Sequence, residues 1–393
     1  MHSVTSLGIY VHIPFCLSKC AYCDFYSKCG TKGEYNKYAE ALCYHIESSD
    51  MRSSGYEVDS IYFGGGTPTA IGARNLIKIL GSIYRSFIIS DTCEITLEAN
   101  PNSVDLTMLR KLHRAGFNRI SFGMQSANAA ELQILGRTHT FEDVKNAVAA
   151  ARKAKFDNIS LDLMFALPYQ TIGDFLDSLD AAIELSPEHI SCYILKLEEG
   201  TPLAKSLDAA SLPSEDDQAD MYLAAVTRLS DEGYEQYEIS NFAKEGKRSH
   251  HNMKYWTLGD YLGFGPSAHS LMDKKRFSYI RDTEKYIAAL DEDGDVTEKS
   301  EDISTAESCA EYLMLGLRTC DGISADILEN NYLVSFDKIE KILLRYHESG
   351  HTDFDGLKWR LTPEGFLISN HIISEVLDAL EASKHILDLL SKE

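Results

Sequence analysis

Three cysteines crowd into the stretch FCLSKCAYCDF (15–25): Cys16, Cys20 and Cys23. Structural zinc sites normally take four protein ligands, and a [4Fe–4S] cubane is usually held by four thiolates. Three thiolates at spacings of four and three, in one short loop after Pro14, therefore point to a metal centre with one position left open. A zinc ion with a distant fourth ligand is the alternative to a cubane whose fourth iron awaits a non-protein ligand. Further along, GGGTP (64–68) lets backbone groups approach a ligand without obstruction by Cβ; otherwise it is a tight strand-to-helix turn. Glu98, Gln125 and Asp162 each fall in or at the end of a strand-like run, and His250 and His251 stand side by side in HHNMKYW (250–256).

The elements that must position these residues alternate. GIYVHIPF (8–15), VDSIYFGGGTP, CEITLEANP, NRISFGMQS, NISLDLMFALP and HISCYILKLEEG read as six strands. Helical spacing follows the first five, over 34–50, 73–87, the stretch ending at Gly116, 128–155 and 171–185. Such alternation implies right-handed crossovers and a parallel sheet. Either an open doubly wound sheet or an α/β barrel satisfies it. An open sheet concentrates its polar residues at one switch point; here they mark the ends of at least four strands, as in a barrel. The expected fold is thus an α/β, incomplete parallel (β/α)6-type barrel with a smaller, mainly helical C-terminal domain. The domains are expected at 1–275 and 276–393. After residue 200 the reading is a polar linker, an amphipathic helix, a strand at EQYEISNFA (235–243), an ordered loop over 244–270, and mostly helix from about 280. Near the end a short hairpin precedes a helix with Thr362 as N-cap and Pro363 at N1.

The chain has 393 residues, 44% apolar and 25% charged, enough for a sizeable core, and a formal net charge of −22. That field repels a phosphate backbone, so nucleic acid is not expected as a partner. The N-terminal MHSVTSLGIYVHIPF lacks a basic segment followed by a long apolar one. No window resembles a transmembrane helix. With nine cysteines and no leader, a reducing cytoplasm is expected. Cys29, Cys43, Cys93, Cys192, Cys309 and Cys320 are read as small core or surface residues rather than ligands.

The pattern C-x3-C-x2-C followed by a Gly-rich stretch after the next strand resembles the radical S-adenosylmethionine (SAM) superfamily. The resemblance sharpens with YVHIPFC, YFGGGTPT, LEANP, ISFGMQS, LGRTHT, LDLMFALPYQT and HNMKYW…DYLGFGPSAHS. Together these are similar to the oxygen-independent coproporphyrinogen III dehydrogenase (HemN) family, and within it to the heme-chaperone branch, HemW. The resemblance implies a [4Fe–4S] cluster on Cys16, Cys20 and Cys23, with SAM on the open iron as the source of a 5′-deoxyadenosyl radical. It implies SAM contacts from Tyr10, Tyr22, Gly65, Gly66, Thr67, Glu98, Gln125, Arg137 and Asp162. Arg137 would pair with the SAM carboxylate; being far along the chain from the thiolates, it is expected not to affect the cluster. The branch further implies heme as ligand, apo-hemoproteins as acceptors and an electron donor for the cluster. His251, the histidine of the HNMKYW motif, is the expected heme ligand, although the residue types alone do not separate it from His250. Two departures from the dehydrogenase favour the chaperone branch. Phe25 stands where that enzyme has another cysteine, and only 15 residues precede Cys16 where it has a longer arm. The alternative activity is the dehydrogenase's own, oxidative decarboxylation of two propionates.

Overall fold

A computed structural model describes residues 5–208 and 211–390. Six strands, β1 (Thr5–Ile13), β2 (Tyr56–Gly65), β3 (Ile89–Ala99), β4 (Arg119–Gln125), β5 (Ile159–Phe165) and β6 (His189–Ile194), pair side by side in parallel. Helices connect the first five to their successors. Except for Gly72–Ser86, whose N-cap Ile71 offers no side-chain acceptor, those helices begin where side chains satisfy free backbone N–H groups of the first turn. Thr31 with Glu34, Thr140 with Asp143 and Thr171 with Asp174 form reciprocal capping boxes.

The six strands do not close on themselves. β1 takes β9 (Tyr261–Phe264) as its second neighbour, and β6 takes β8 (Asn241–Ala243). Among the described residues the full sheet has twelve strands, in the order β12-β11-β10-β9-β1-β2-β3-β4-β5-β6-β8-β7. Here β7 is Glu235–Glu238, β10 His269–Met272, β11 Lys275–Tyr279 and β12 Thr297–Asp302. The architecture is the expected α/β incomplete barrel followed by a mainly helical C-terminal region.

Three local expectations are corrected. EQYEISNFA is two strands, β7 and β8, folded into an antiparallel pair. The stretch 244–270 contains the helix His250–Trp256 and strands β9 and β10 rather than only loop. Strand β12 interrupts the helices expected after residue 280. The C-terminal hairpin forms between Thr352–Phe354 and Trp359–Leu361, and Thr362 caps the next helix by accepting from the Gly365 N–H. No helix among the described residues is long and apolar enough to cross a membrane.

Side-chain alternation divides each barrel strand. Ile9, Val11, Ile61, Phe63, Ile95, Leu97, Ile120, Phe122, Leu161 and Leu163 are buried in the apolar core. The alternate residues include Tyr62, Glu98, Arg119, Ser121, Ser160, Asp162, His189 and Ser191, all of which border one cavity. The barrel interior is therefore a polar chamber wrapped in an apolar coat.

Candidate functional site

The cysteine loop leaves β1 and is clasped at its base. Cys16 N–H donates to the Lys28 carbonyl and Lys28 N–H to that of Pro14, both at 2.9 Å. Ala21 N–H bonds to the Leu135 carbonyl (3.0 Å), while the Ala21 carbonyl accepts from Leu203 N–H (2.9 Å). The loop is thus pinned on three sides, and Cys16, Cys20 and Cys23 border a cavity of about 520 Å³. Burial pushes the Cys16 and Cys23 thiols up from their ordinary values.

The glycine turn after β2 packs beneath this loop. Gly66 N–H donates to the Ile13 carbonyl (2.8 Å) and Thr67 N–H to that of Phe15 (2.7 Å). A Cβ at Gly66 would lie 2.6 Å from the Phe15 oxygen, so a side chain there would push the cysteine loop away. Gly65 adopts φ 107°, a region L side chains rarely enter. Thr67 Oγ1 reaches the Cys16 sulfur at 3.7 Å.

Two carboxylates on the barrel strands face the chamber, Glu98 and Asp162. Tyr62 donates to Glu98 Oε1 (2.8 Å), yet burial raises the Glu98 pKa to about 7, with Tyr62 opposing the rise and Asp162 adding to it. Asp162 accepts from Ser121 (3.0 Å) and Ser191 (2.8 Å); burial raises its pKa while those hydroxyls pull it back. Gln125 sits at φ 65° beside a register shift in β4, which turns this residue into the cavity wall.

Arg137 is held by the Gly123 carbonyl (2.7 Å to Nη2) and the Asn100 side chain. Its Nη1 donates to the Cys20 sulfur at 3.2 Å, and its Nε is buried without a hydrogen-bond partner. Separation along the chain is thus a poor guide here, because Arg137 touches the cysteine loop.

Eleven of the residues expected to bind cofactor or metal border the cavity: the three cysteines, Tyr22, Gly65, Gly66, Thr67, Glu98, Gln125, Arg137 and Asp162. Tyr10 and His251 do not. Tyr10 lies behind the wall, its hydroxyl 3.0 Å from His12 Nδ1 and its ring stacked on Tyr62 and His251. His251 is 1% exposed. Its Nδ1 lies 3.2 Å from Ser60 Oγ and its Nε2 2.9 Å from the Tyr255 hydroxyl. Burial lowers its pKa to about 3. The expected heme ligand is therefore a core residue with both ring nitrogens occupied.

Arg119, Ser121, His189, Ser191 and Asn252 were not singled out from sequence, yet all border the chamber. Arg119 is 2% exposed, its Nε 3.9 Å from Glu94 and without a hydrogen bond. A signal exists for the strand residues among them, though not for Asn252: polar residues recur two apart in largely apolar strands, as in 119/121, 160/162 and 189/191.

The residues present fit a [4Fe–4S] cluster and SAM. Three soft sulfur donors project from one pinned loop, and thiolates select iron–sulfur centres. Among the described residues no three His, Cys, Asp or Glu side chains converge on a single ion. A cubane does not need that, since each thiolate binds a different iron. The orphaned Arg137 Nε and the two carboxylates beside the loop supply donors and acceptors for a zwitterionic ligand carrying hydroxyl groups.

Comparison with known proteins agrees. Residues 10–182 match the radical SAM superfamily and residues 303–368 the HemN C-terminal domain. The heme chaperone HemW of Bacillus subtilis (strain 168) is 34% identical over 375 residues, covering 94% of this chain and 99% of that protein. HemW of Lactococcus lactis is 33% identical, covering 94% and 96%. The mitochondrial radical S-adenosyl methionine domain-containing protein 1 of Bos taurus is 36% identical, covering 81% and 74%. Among solved structures, coproporphyrinogen III oxidase (HemN) from Escherichia coli superimposes with a TM-score of 0.84 at 23% identity, over 95% of this chain and 90% of that one, which shows a shared fold.

Proposed function

The chain belongs to the HemW family of the radical SAM superfamily, and on that premise we propose that it is a heme chaperone that binds heme and hands it to apo-hemoproteins. The observation that carries the reading is the 34% identity to HemW over 94% of the chain, with the pinned three-cysteine loop opening on the polar chamber.

On this reading Cys16, Cys20 and Cys23 hold a [4Fe–4S] cluster. Its chemistry, when bound, is one-electron reductive cleavage of the SAM sulfonium. Gly65, Gly66 and Thr67 let the backbone approach SAM, Arg137 meets its carboxylate, and Glu98 and Asp162 accept its hydroxyls or face its positive charge. Tyr22 and Gln125 complete the wall, and Tyr10 supports it from behind through Tyr62. The partners are heme, acceptor apo-hemoproteins and an electron donor, with no nucleic acid, and the compartment is the cytoplasm. The division at residues 275 and 276 is likewise a proposal. Helices dominate after Asp302, and β11 and β12 tie that part to the barrel sheet.

Phe25 is 69% exposed at the cavity mouth. It offers an apolar surface and no thiol where the dehydrogenase has one. The test is anaerobic reconstitution of the full chain, followed by parallel assays of heme binding, heme transfer to an apo-hemoprotein and coproporphyrinogen decarboxylation. Saturable heme binding and transfer without decarboxylation are expected. Saturable decarboxylation, or no heme binding by the loaded protein, overturns the reading.

A further inference from the structure

The strand register sorts the inward-facing residues of the barrel into rows. One row runs through Tyr10, Tyr62, Thr96 and Arg119. The next row toward the cysteine loop holds Glu98, Ser121, Ser160 and His189. Gly65, Gln125 and Asp162, assigned to SAM, lie further along their strands. Beneath Arg119 the barrel is plugged. Gly8, Ser60 and Glu94 form the row below, and the helix His250–Trp256 packs on it. A Cβ at Gly8 would lie 2.6 Å from the Lys254 Cδ, and Ser60 Oγ lies 3.2 Å from His251 Nδ1. Glu94 Oε1 accepts from the backbone N–H groups of His250 (3.0 Å) and His251 (3.4 Å). The helix thus closes the chamber from below, and Arg119 lies on its floor.

Arg119 is out of water and short of partners. Its side chain borders the chamber, yet the residue is 2% exposed. Its Nε is buried without a hydrogen bond, since Glu94 Oε2 at 3.9 Å is beyond reach of one. A guanidinium stays charged, and a buried charge with an unmade hydrogen bond costs free energy that a ligand can recover. Thr96, the register partner of Arg119 on β3, is fully buried, and its Oγ1 also has no partner among the described residues. Asn252 borders the same chamber from the plugging helix. His189 brings no competing cation. Its Nδ1 lies 2.8 Å from Ser160 Oγ and its Nε2 2.8 Å from the Tyr237 hydroxyl, and burial pushes its pKa well below the ordinary histidine value.

We propose that the chamber floor is a binding site for a small organic carboxylate, a ligand other than SAM or heme, held by Arg119 with Thr96 and Asn252 as flanking donors. A guanidinium binds the two oxygens of a carboxylate as a planar fork. Glu98 and Asp162, one and two rows above, oppose a doubly charged anion such as phosphate. The helix below and the SAM residues above, around one cavity of about 520 Å³, leave space for a small molecule and not for a tetrapyrrole. The carbon skeleton of the acid then extends toward the residues assigned to SAM.

The test uses the full chain carrying its cluster, with and without SAM, and acetate as the probe in saturation-transfer NMR at constant ionic strength. The acetate methyl protons should receive saturation from the wild type, and should still do so when SAM occupies Arg137. Arg119→Gln should weaken acetate binding by at least about tenfold, the loss expected for a hydrogen bond to a charged group. Arg119→Lys keeps a cation beside Glu94 and should retain part of the binding. Thr96→Val removes one hydroxyl at nearly constant shape and should weaken binding about threefold. Inorganic phosphate should displace acetate poorly. Circular dichroism and the cluster absorbance identify the folded variants. No transfer from the wild type overturns the site, as does unchanged acetate affinity in a folded Arg119→Gln. Where that variant does not fold, unchanged affinity in both Arg119→Lys and Thr96→Val overturns it equally. Transfer that SAM abolishes places the acetate at Arg137 and removes the floor site, and displacement by phosphate as strong as by acetate itself overturns the carboxylate class.

Discussion

Replacing Arg137 by Gln tests whether one side chain serves both the SAM carboxylate and the cysteine loop. The guanidinium is fixed in place by the Gly123 carbonyl at 2.7 Å and by Asn100, leaving Nη1 on the Cys20 sulfur at 3.2 Å and Nε without a protein partner. A hydrogen bond to a charged group contributes about 1.5–3 kcal/mol, so losing the one to the carboxylate should weaken SAM binding by roughly 10- to 160-fold. The contact with Cys20 adds a second consequence. A cation beside a thiolate favours the more negative, reduced form of a cluster. If that preference is about 1–1.5 kcal/mol, removing it should lower the one-electron potential by roughly 45–65 mV. Calorimetry with SAM and an EPR-monitored redox titration read the two effects separately. Unchanged SAM affinity refutes the carboxylate role. An unchanged potential shows that the contact with Cys20 does not persist when the loop is loaded.

Alanine at Cys16, Cys20 or Cys23 should abolish the [4Fe–4S] absorbance after reconstitution, while alanine at the exposed Cys29 should leave it intact; the opposite pattern refutes the ligand set. Glu98, raised to about 7 by burial, loses its proton as pH rises through that value. SAM binding should therefore tighten between about pH 6 and 8, and Glu98→Gln should flatten that profile. His251 titrates near 3 in the fold against about 6.5 unfolded, so below pH 6.5 the unfolded chain takes up a proton that the folded one refuses. This group alone should cost about 1.4 kcal/mol of stability per pH unit on acidification from 6.5 towards 3. Urea unfolding at pH 7 and pH 5 should therefore show a drop about 2 kcal/mol smaller in His251→Gln than in wild type.

The alternation of strands and helices up to β6 was legible because each strand is a largely apolar run and the helices between them, except Gly72–Ser86, begin at a side-chain cap. Strand β9 was not. It is four residues long, contains a glycine, and owes its strand character to parallel pairing with β1, distant in the chain. Long-range pairing of that kind leaves little local trace. The split of EQYEISNFA into β7 and β8 was equally hidden, since its turn at Ile239–Ser240 lacks Gly, Pro, Asn or Asp. Strand β12 is exposed along its whole length and carries only polar and charged residues from Thr297 to Asp302, so no hydrophobic alternation marks it.

The candidate site was legible where chemistry demands unusual residue types: three thiols, a glycine turn, carboxylates late in strands. It was illegible where ordinary polar residues become special only through facing inward. Arg119 and His189 look like surface residues in the sequence, yet they lie two positions before Ser121 and Ser191 and share their chamber. The histidine pair shows the same limit most sharply. Successive helix residues are turned about 100° from each other, so one of two neighbours faces in and the other out. A seven-residue helix with aromatic and polar residues on several sides does not disclose its own phase. Here the phase is set from outside. Glu94 holds the backbone of the first turn, Lys254 is locked onto Asp59 and Ser6, and stacked Tyr10 and Tyr62 leave His251 one way to lie. With His251 fixed inward, helical geometry turns His250 to the solvent.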